Sequence, residues 1–159
     1  MSVEDRDLGW QKLVRTLGQL DRSYVKVGVV EGTTRDDPTG RSDMAAVAAA
    51  NEFGVMGSDG DWKIPPRPAL GNAYDAHKTE LYAEIDHQKS AILAGHQTVR
   101  GALDRIGLRH TAQQQASIRS NTPPPNSPVT VALKGSSRTL VDSGQYAQSI
   151  RHVSVVEGG

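Results

Sequence analysis

Seven of the eight prolines stand in two clusters, Ile64-Pro65-Pro66-Arg67-Pro68 and Pro123-Pro124-Pro125 with Pro128 just beyond, and their placement constrains the fold more than any other feature. Proline fixes φ near about −65°, lacks a backbone donor and restricts the residue before it, so neither cluster can lie inside a helix or a central strand. Regular structure is thereby divided into three stretches. Residues 64–68 read as a stiff, extended arm. Residues 121–126, Asn121-Thr122-Pro123-Pro124-Pro125-Asn126, read as a hard stop and a polyproline-like linker.

The stretch between the clusters carries helical periodicity. Leu70, Tyr74, His77, Leu81, Ile85 and Ile92 share a face of one helix that ends near Ala94-Gly95. A helix of ~25 residues would span ~37 Å. A second helical stretch, 96–120, turns Val99, Leu103, Ile106 and Ile118 inward, with Gly101 and Gly107 weakening it by ~1 kcal/mol each relative to Ala. The two form either a hairpin or one kinked rod.

Before the first cluster, Trp10, Leu13, Val14, Leu17 and Leu20 lay an apolar stripe along a helix over 4–20, expected to face the core. Val25, Val27 and Val29 then alternate in a strand. Residues 32–41 have no apolar periodicity and read as a long exposed loop. Ser42 or Asp43 can cap a helix over 44–53, small-residue-rich, with Gly54 as its stop. Residues 55–62 form a second loop, so 55–68 is one extended excursion.

After the second cluster, Ser127-Pro128 is an N-cap followed by proline at the first helical position, and Gly135 ends the short helix. Asp142-Ser143-Gly144-Gln145 matches a capping box: Asp142 and Gln145 as a structural cap, Gly144 as a tight-turn residue, and a helix running through Ile150. Val153 and Val155 alternate in a last strand, over 151–156, expected to pair with the strand around Val27. The expected fold class is α+β: a small antiparallel sheet packed with long central helices, in one domain over 1–159 with extended loops.

Composition narrows function. Lysine plus arginine equals aspartate plus glutamate at 18 each, so no overall field draws the chain to nucleic acid or an anionic membrane. Aromatics make up only 4%, which leaves a thin core of Ala, Val, Leu and Ile for neighbours to complete. With no cysteine there is no disulfide framework and no thiolate chemistry. The acidic start Met1-Ser2-Val3-Glu4-Asp5 is unlike a signal peptide, and no stretch is apolar enough to span a membrane.

No catalytic constellation stands out. His77, His87, His96, His110 and His152 include no i,i+4 ligand pair, so no metal is expected. Asp142-Ser143-Gly144 supplies half of a nucleophile elbow, and Lys134-Gly135-Ser136-Ser137 lacks the order of a phosphate loop. The expectation is a non-enzyme without a cofactor.

Two sets of residues carry a resemblance. One is Ala49-Ala50-Asn51-Glu52-Phe53-Gly54 followed by Ile64-Pro65-Pro66-Arg67-Pro68-Ala69-Leu70; the other is Asn126-Ser127-Pro128-Val129-Thr130, Lys134-Gly135-Ser136-Ser137 and Leu140-Val141-Asp142-Ser143-Gly144-Gln145, closing on Ser149-Ile150. In order and separation they resemble the virion-morphogenesis and tail-completion group of long-tailed bacteriophages, similar to the minor tail protein Z type and to neck proteins. Ser143 stands where that group usually has threonine, and Ala69 where an aromatic often follows the proline.

The resemblance implies a structural subunit of the phage neck or tail top: a tail-completion, collar or head–tail joining protein, assembled in the host bacterial cytoplasm and resident in the virion. Its implied partners are copies of itself in a ring, six-fold or alternatively twelve-fold, and neighbouring head–tail connector, tail terminator or tail tube proteins. No membrane is implied, and DNA contact is confined to the channel. The expected interface residues are Phe53, Ile64, Pro65, Pro66, Arg67 and Pro68. Loops 32–41 and 55–62 are expected beside them, facing the small-residue edge of 45–50 on the next subunit. Arg67, held between prolines, is expected either to reach an acceptor on a neighbour or to form a buried pair with an acid of its own chain. The alternatives are a DNA-contacting adaptor using Arg100, Arg105, Arg109 and Arg119, and, further off, a small hydrolase with Ser143.

Overall fold

A computed structural model describes residues 9–30, 33–37, 40–140 and 144–157. Its spine is a helical hairpin. Helix α3, Ala69–Leu93, runs 25 residues and ends where Gly95 takes φ 77°; helix α4, Val99–Arg119, starts at Thr98, whose hydroxyl accepts from Gly101 N at 3.1 Å. The two pack along their length, so the kinked-rod alternative is removed. Val99, Ile106 and Ile118 are buried and Leu103 half-buried, as the periodicity of α4 requires.

Strand β1, Tyr24–Val29, pairs antiparallel with the last strand, here β6, Ile150–Val155, in the register Val25↔Ser154, Val27↔His152, Val29↔Ile150. Helix α4 lies on this two-stranded sheet. The expected sheet is therefore present, and the architecture is α+β with long central helices. At Gly107 α4 approaches the sheet closely. A Cβ there would stand 2.7 Å from the His152 ring, so a residue expected only to weaken the helix instead admits the sheet.

The main core cluster is Met44, Ala48, Ala69, Ile118, Leu140, Tyr146, Ala147 and Ile150; a smaller one joins Ile92, Val99 and Ala102. Between α1, β1, α3 and α4 an apolar cavity of about 270 Å³ remains, lined by Leu20, Val25, Ile85, Ile92, Leu103 and Ile106 among others.

Several expectations are corrected. Helix α1, Trp10–Arg22, buries no residue: Leu13 and Leu20 are half-covered, while Trp10 is 70% exposed and Val14 and Leu17 are exposed too. The stripe is real, but the body of the chain covers only one side of it. Within 32–41, the described part is a hairpin, β2 (Thr34–Asp37) with β3 (Gly40–Asp43). Neither strand contains an apolar residue, so a period-two apolar pattern had nothing to report. Residues 55–62 likewise hold a short hairpin, β4 (Val55–Met56) with β5 (Trp62–Ile64), offset by a bulge and closed by Gly57 N donating to Asp61 O at 2.7 Å.

Helix α2, Met44–Phe53, is capped by Asp43, which accepts from Ala45 N at 3.0 Å. Gly54 follows it with φ 76° and ψ 170°, a positive-φ extended turn rather than a left-handed helical stop. Helix α5, Pro128–Lys134, has the expected local signals: Ser127 Oγ accepts from Thr130 N at 3.2 Å, and Gly135 closes it in the left-handed conformation. Helix α6, Gln145–Ser149, departs from the capping box. Its N-cap is Gly144, φ 78°, without a side-chain cap bond, which makes Gln145 the first helical residue instead of the third. Asp142 and Ser143 lie outside the described residues.

Candidate interaction surface

The two sets of motif residues, far apart in sequence, meet at one junction. From α2, Asn51 O accepts from Arg67 N at 2.6 Å, tying the arm to the helix end. Glu52 reaches across to the start of α3, its carboxylate accepting from Leu70 N at 3.1 Å and Gly71 N at 2.7 Å. It supplies the cap that Pro68, the residue preceding α3, cannot. From α4, Ser117 Oγ donates to Ala69 O at 2.7 Å, fixing the same helix end from its other side.

Arg67 is the hub, and it is only 7% exposed. Its Nε donates to Pro124 O at 2.8 Å, and Nη2 donates to Pro125 O at 3.3 Å and Asn126 Oδ1 at 3.4 Å. In place of the expected buried pair with an acid, which is absent among the described residues, Arg67 gathers carbonyl oxygens that prolines leave without regular partners. Burial pushes its pKa down from the ordinary value. Asn126 passes the linkage on, donating to Arg138 O at 2.9 Å, and Asn121 Oδ1 accepts from Thr139 N at 2.9 Å. The linker 121–126 is therefore a clamped structural segment and not a free spacer.

This junction displays apolar surface. A Cβ on Gly54 would stand 2.6 Å from the Trp62 ring and 2.9 Å from Ile64 O, so only glycine lets the β4–β5 hairpin fold back against the end of α2. What results is a run of exposed side chains: Phe53 at 75%, Met56 at 57%, Trp62 at 49%, and Val55. Ala45, Ala46 and Ala49 of α2 are exposed as well, while Met44 and Ala48 turn into the core. Of the arm, Ile64, Pro65 and Pro66 are half-buried and Pro68 is exposed. Val129 and Leu133 of α5 form a separate exposed apolar pair.

Under the junction, Tyr146 is buried with its hydroxyl lacking a hydrogen-bond partner among the described residues. Burial, and secondarily the charge of Glu52, pushes its pKa far upward.

Of the four α4 arginines, Arg105, Arg109 and Arg119 share one side of the helix and Arg100 stands apart. Arg109 lies nine residues, about two and a half turns, beyond Arg100 and so on the opposite side of the helix. It is engaged by Glu84 at 3.2 Å and Glu80 at 3.5 Å. His77 Nδ1 stands 3.4 Å from Glu80, and His110 contacts Gln113 and Gln114. Among the described residues no three His, Cys, Asp or Glu side chains converge on a point where a metal could sit, and no helix is long and apolar enough to cross a membrane.

The capping role of Glu52 and the clamping roles of Asn121 and Asn126 were not legible in the sequence. Glu52 caps a helix beginning eighteen residues later, outside the three-residue window in which a capping box is recognised. Comparison of the chain with family models, with curated proteins and with solved structures finds no match.

Proposed function

We propose that the chain is a structural virion protein of the neck or tail top of a long-tailed bacteriophage, working by oligomerisation and docking rather than by catalysis. The observation that carries this reading is that the residues responsible for the resemblance are neighbours in space: Asn51, Glu52, Gly54, Arg67 and Asn126 build one scaffold whose outward product is an apolar ridge, Phe53, Val55, Met56 and Trp62. Their roles are structural and their yield is a surface. Large apolar side chains left exposed on one hairpin and the helix end before it are the ordinary mark of a protein contact. A ring further requires two different complementary patches per subunit, and the alanine face of α2 supplies a flat second one beside the ridge.

On this reading the partners are other copies in a ring, six-fold or twelve-fold, and the connector, terminator or tube proteins above and below. The decisive experiment places the chain in particles. Virions purified from cells expressing the chain with Phe53→Asp and Met56→Asp should lack it and accumulate as unjoined heads and tails, while the purified variant melts like the unaltered protein. Wild-type virions that contain none of the chain would overturn the proposal.

A further inference from the structure

Beside the apolar ridge lies a cavity of about 670 Å³ between the arm and the linker, its wall formed by Trp62, Lys63, Arg67, Pro125, Asn126 and Thr130 among others. Its electrostatics are one-sided among the described residues: two cations line it and none of the described acids does. Arg67 is more than nine-tenths buried, yet three of its five N–H groups satisfy only neutral oxygens, and the two on Nη1 have no partner among the described residues. A buried guanidinium without a counter-ion is costly, and an arriving oxyanion both neutralises it and takes up the open donors.

From this we infer that the cavity is a receptor for an aspartate carboxylate carried by the β4–β5 turn of a second copy of the chain. The turn has the complementary character. Asp59 and Asp61 are exposed at its tip, and the turn is held by Gly57 N donating to Asp61 O at 2.7 Å and by Asp61 N donating to Asp59 Oδ1 at 3.2 Å. Neither carboxylate has a cation within salt-bridge distance among the described residues, whereas the helix acids Asp75, Glu80 and Asp86 are engaged by Lys78, Arg109 and Lys89. Tip into cavity is a heterologous contact, the kind that closes a ring, and Trp62 at the rim joins it to the apolar ridge. The inference rests on the ring reading for its biological setting, but the cavity's chemistry can be measured without a ring.

The probe is the blocked peptide of residues 57–61, Gly-Ser-Asp-Gly-Asp, titrated into full-length Trp10→Phe protein, in which Trp62 is the remaining tryptophan. A saturable change in Trp62 emission is expected. The same peptide with both aspartates replaced by asparagine should bind roughly tenfold more weakly or worse, the effect of losing a charged hydrogen-bond partner. Arg67→Gln should abolish the response; because that variant can lose the linker clamp, Lys63→Gln, at an exposed side chain, is the second reporter and should weaken binding severalfold with unchanged circular dichroism. Equal binding of the asparagine peptide, or a response to inorganic phosphate without one to the peptide, overturns the inference. Particles that incorporate the Asp59→Asn, Asp61→Asn chain as fully as the unaltered one would do so too, and would leave the ring reading intact. Peptide binding by a chain absent from virions would remove the ring reading and leave the site.

Discussion

Removing the Glu52 carboxylate tests whether the junction is built as described. The side chain accepts two backbone N–H groups at the start of the 25-residue helix α3, at 3.1 and 2.7 Å, and places a negative charge at the positive end of the helix dipole. A lost N-cap costs about 1 kcal/mol, and a half-buried charge in the first turn contributes about 0.3–1 kcal/mol more, so Glu52→Ala should destabilise by about 1.5–2 kcal/mol. For a chain of this size that is a fall in melting temperature of about 3–8 °C. Glu52→Gln keeps an acceptor and loses the charge, and should fall about halfway between. Thermal unfolding followed by circular dichroism gives the size, and amide exchange gives the place: Leu70 and Gly71 should exchange faster while amides in the middle of α4 keep their order of protection. If Ala and Gln variants melt within about 1 °C of the unaltered protein, the cap assignment is wrong.

Other perturbations have different signs. Tyr146→Phe removes a buried hydroxyl that has no partner among the described residues, so it should be neutral or stabilise by up to about 1 kcal/mol in urea titrations. Because the folded-state pKa of Tyr146 is raised, the phenol stays neutral in the fold after it would ionise in the unfolded chain; stability should be complete below about pH 10 and decline above it, and the phenylalanine variant should lack that part of the decline. Arg67→Lys replaces a planar fork spanning Pro124, Pro125 and Asn126 with a single ammonium and should cost about 2 kcal/mol, read as a lower urea midpoint with unchanged slope. Gly107→Ala improves helix propensity by about 1 kcal/mol but places a methyl 2.7 Å from the His152 ring; overpacking of about 1–3 kcal/mol should win. In a His152→Ala background the same substitution should become stabilising, and a loss of equal size in both backgrounds would mean that the contact is not the cause.

What could be read in advance was what acts over a few residues. The Ser127 cap, Pro128 at the first helical position and Gly135 at the end all lie within one short helix, and all three signals match the structure. The lengths of α3 and α4 and the pairing of the strands around Val27 and Val155 follow from apolar periodicity, which measures burial along a whole element. Where regular structure carries no apolar side chain, as in β2 and β3, that measure is silent. Where a cap is borrowed across eighteen residues, as by Glu52, or a cation is spent on carbonyls fifty-seven residues away, as by Arg67, local windows cannot find it.

Helix α1 shows a different limit. Its stripe was legible residue by residue, yet Trp10, Val14 and Leu17 are exposed, because periodicity reports that a face prefers to be covered and not what covers it. The same ambiguity separates Leu13 and Leu20, half-covered by the chain's own body, from the side chains beside them on the same helix. A thin core, an apolar cavity of about 270 Å³ at the foot of α1, and a tryptophan left in water at its head are all consistent with a subunit whose burial is completed by contact with others. If so, assembly should protect Trp10 as well as Trp62. A red-shifted, readily quenched Trp10 in the free chain should become blue-shifted and shielded from iodide on incorporation into particles. A Trp10 equally quenched in both states would confine the interface to the Phe53–Trp62 ridge and leave α1 as a solvent-facing helix.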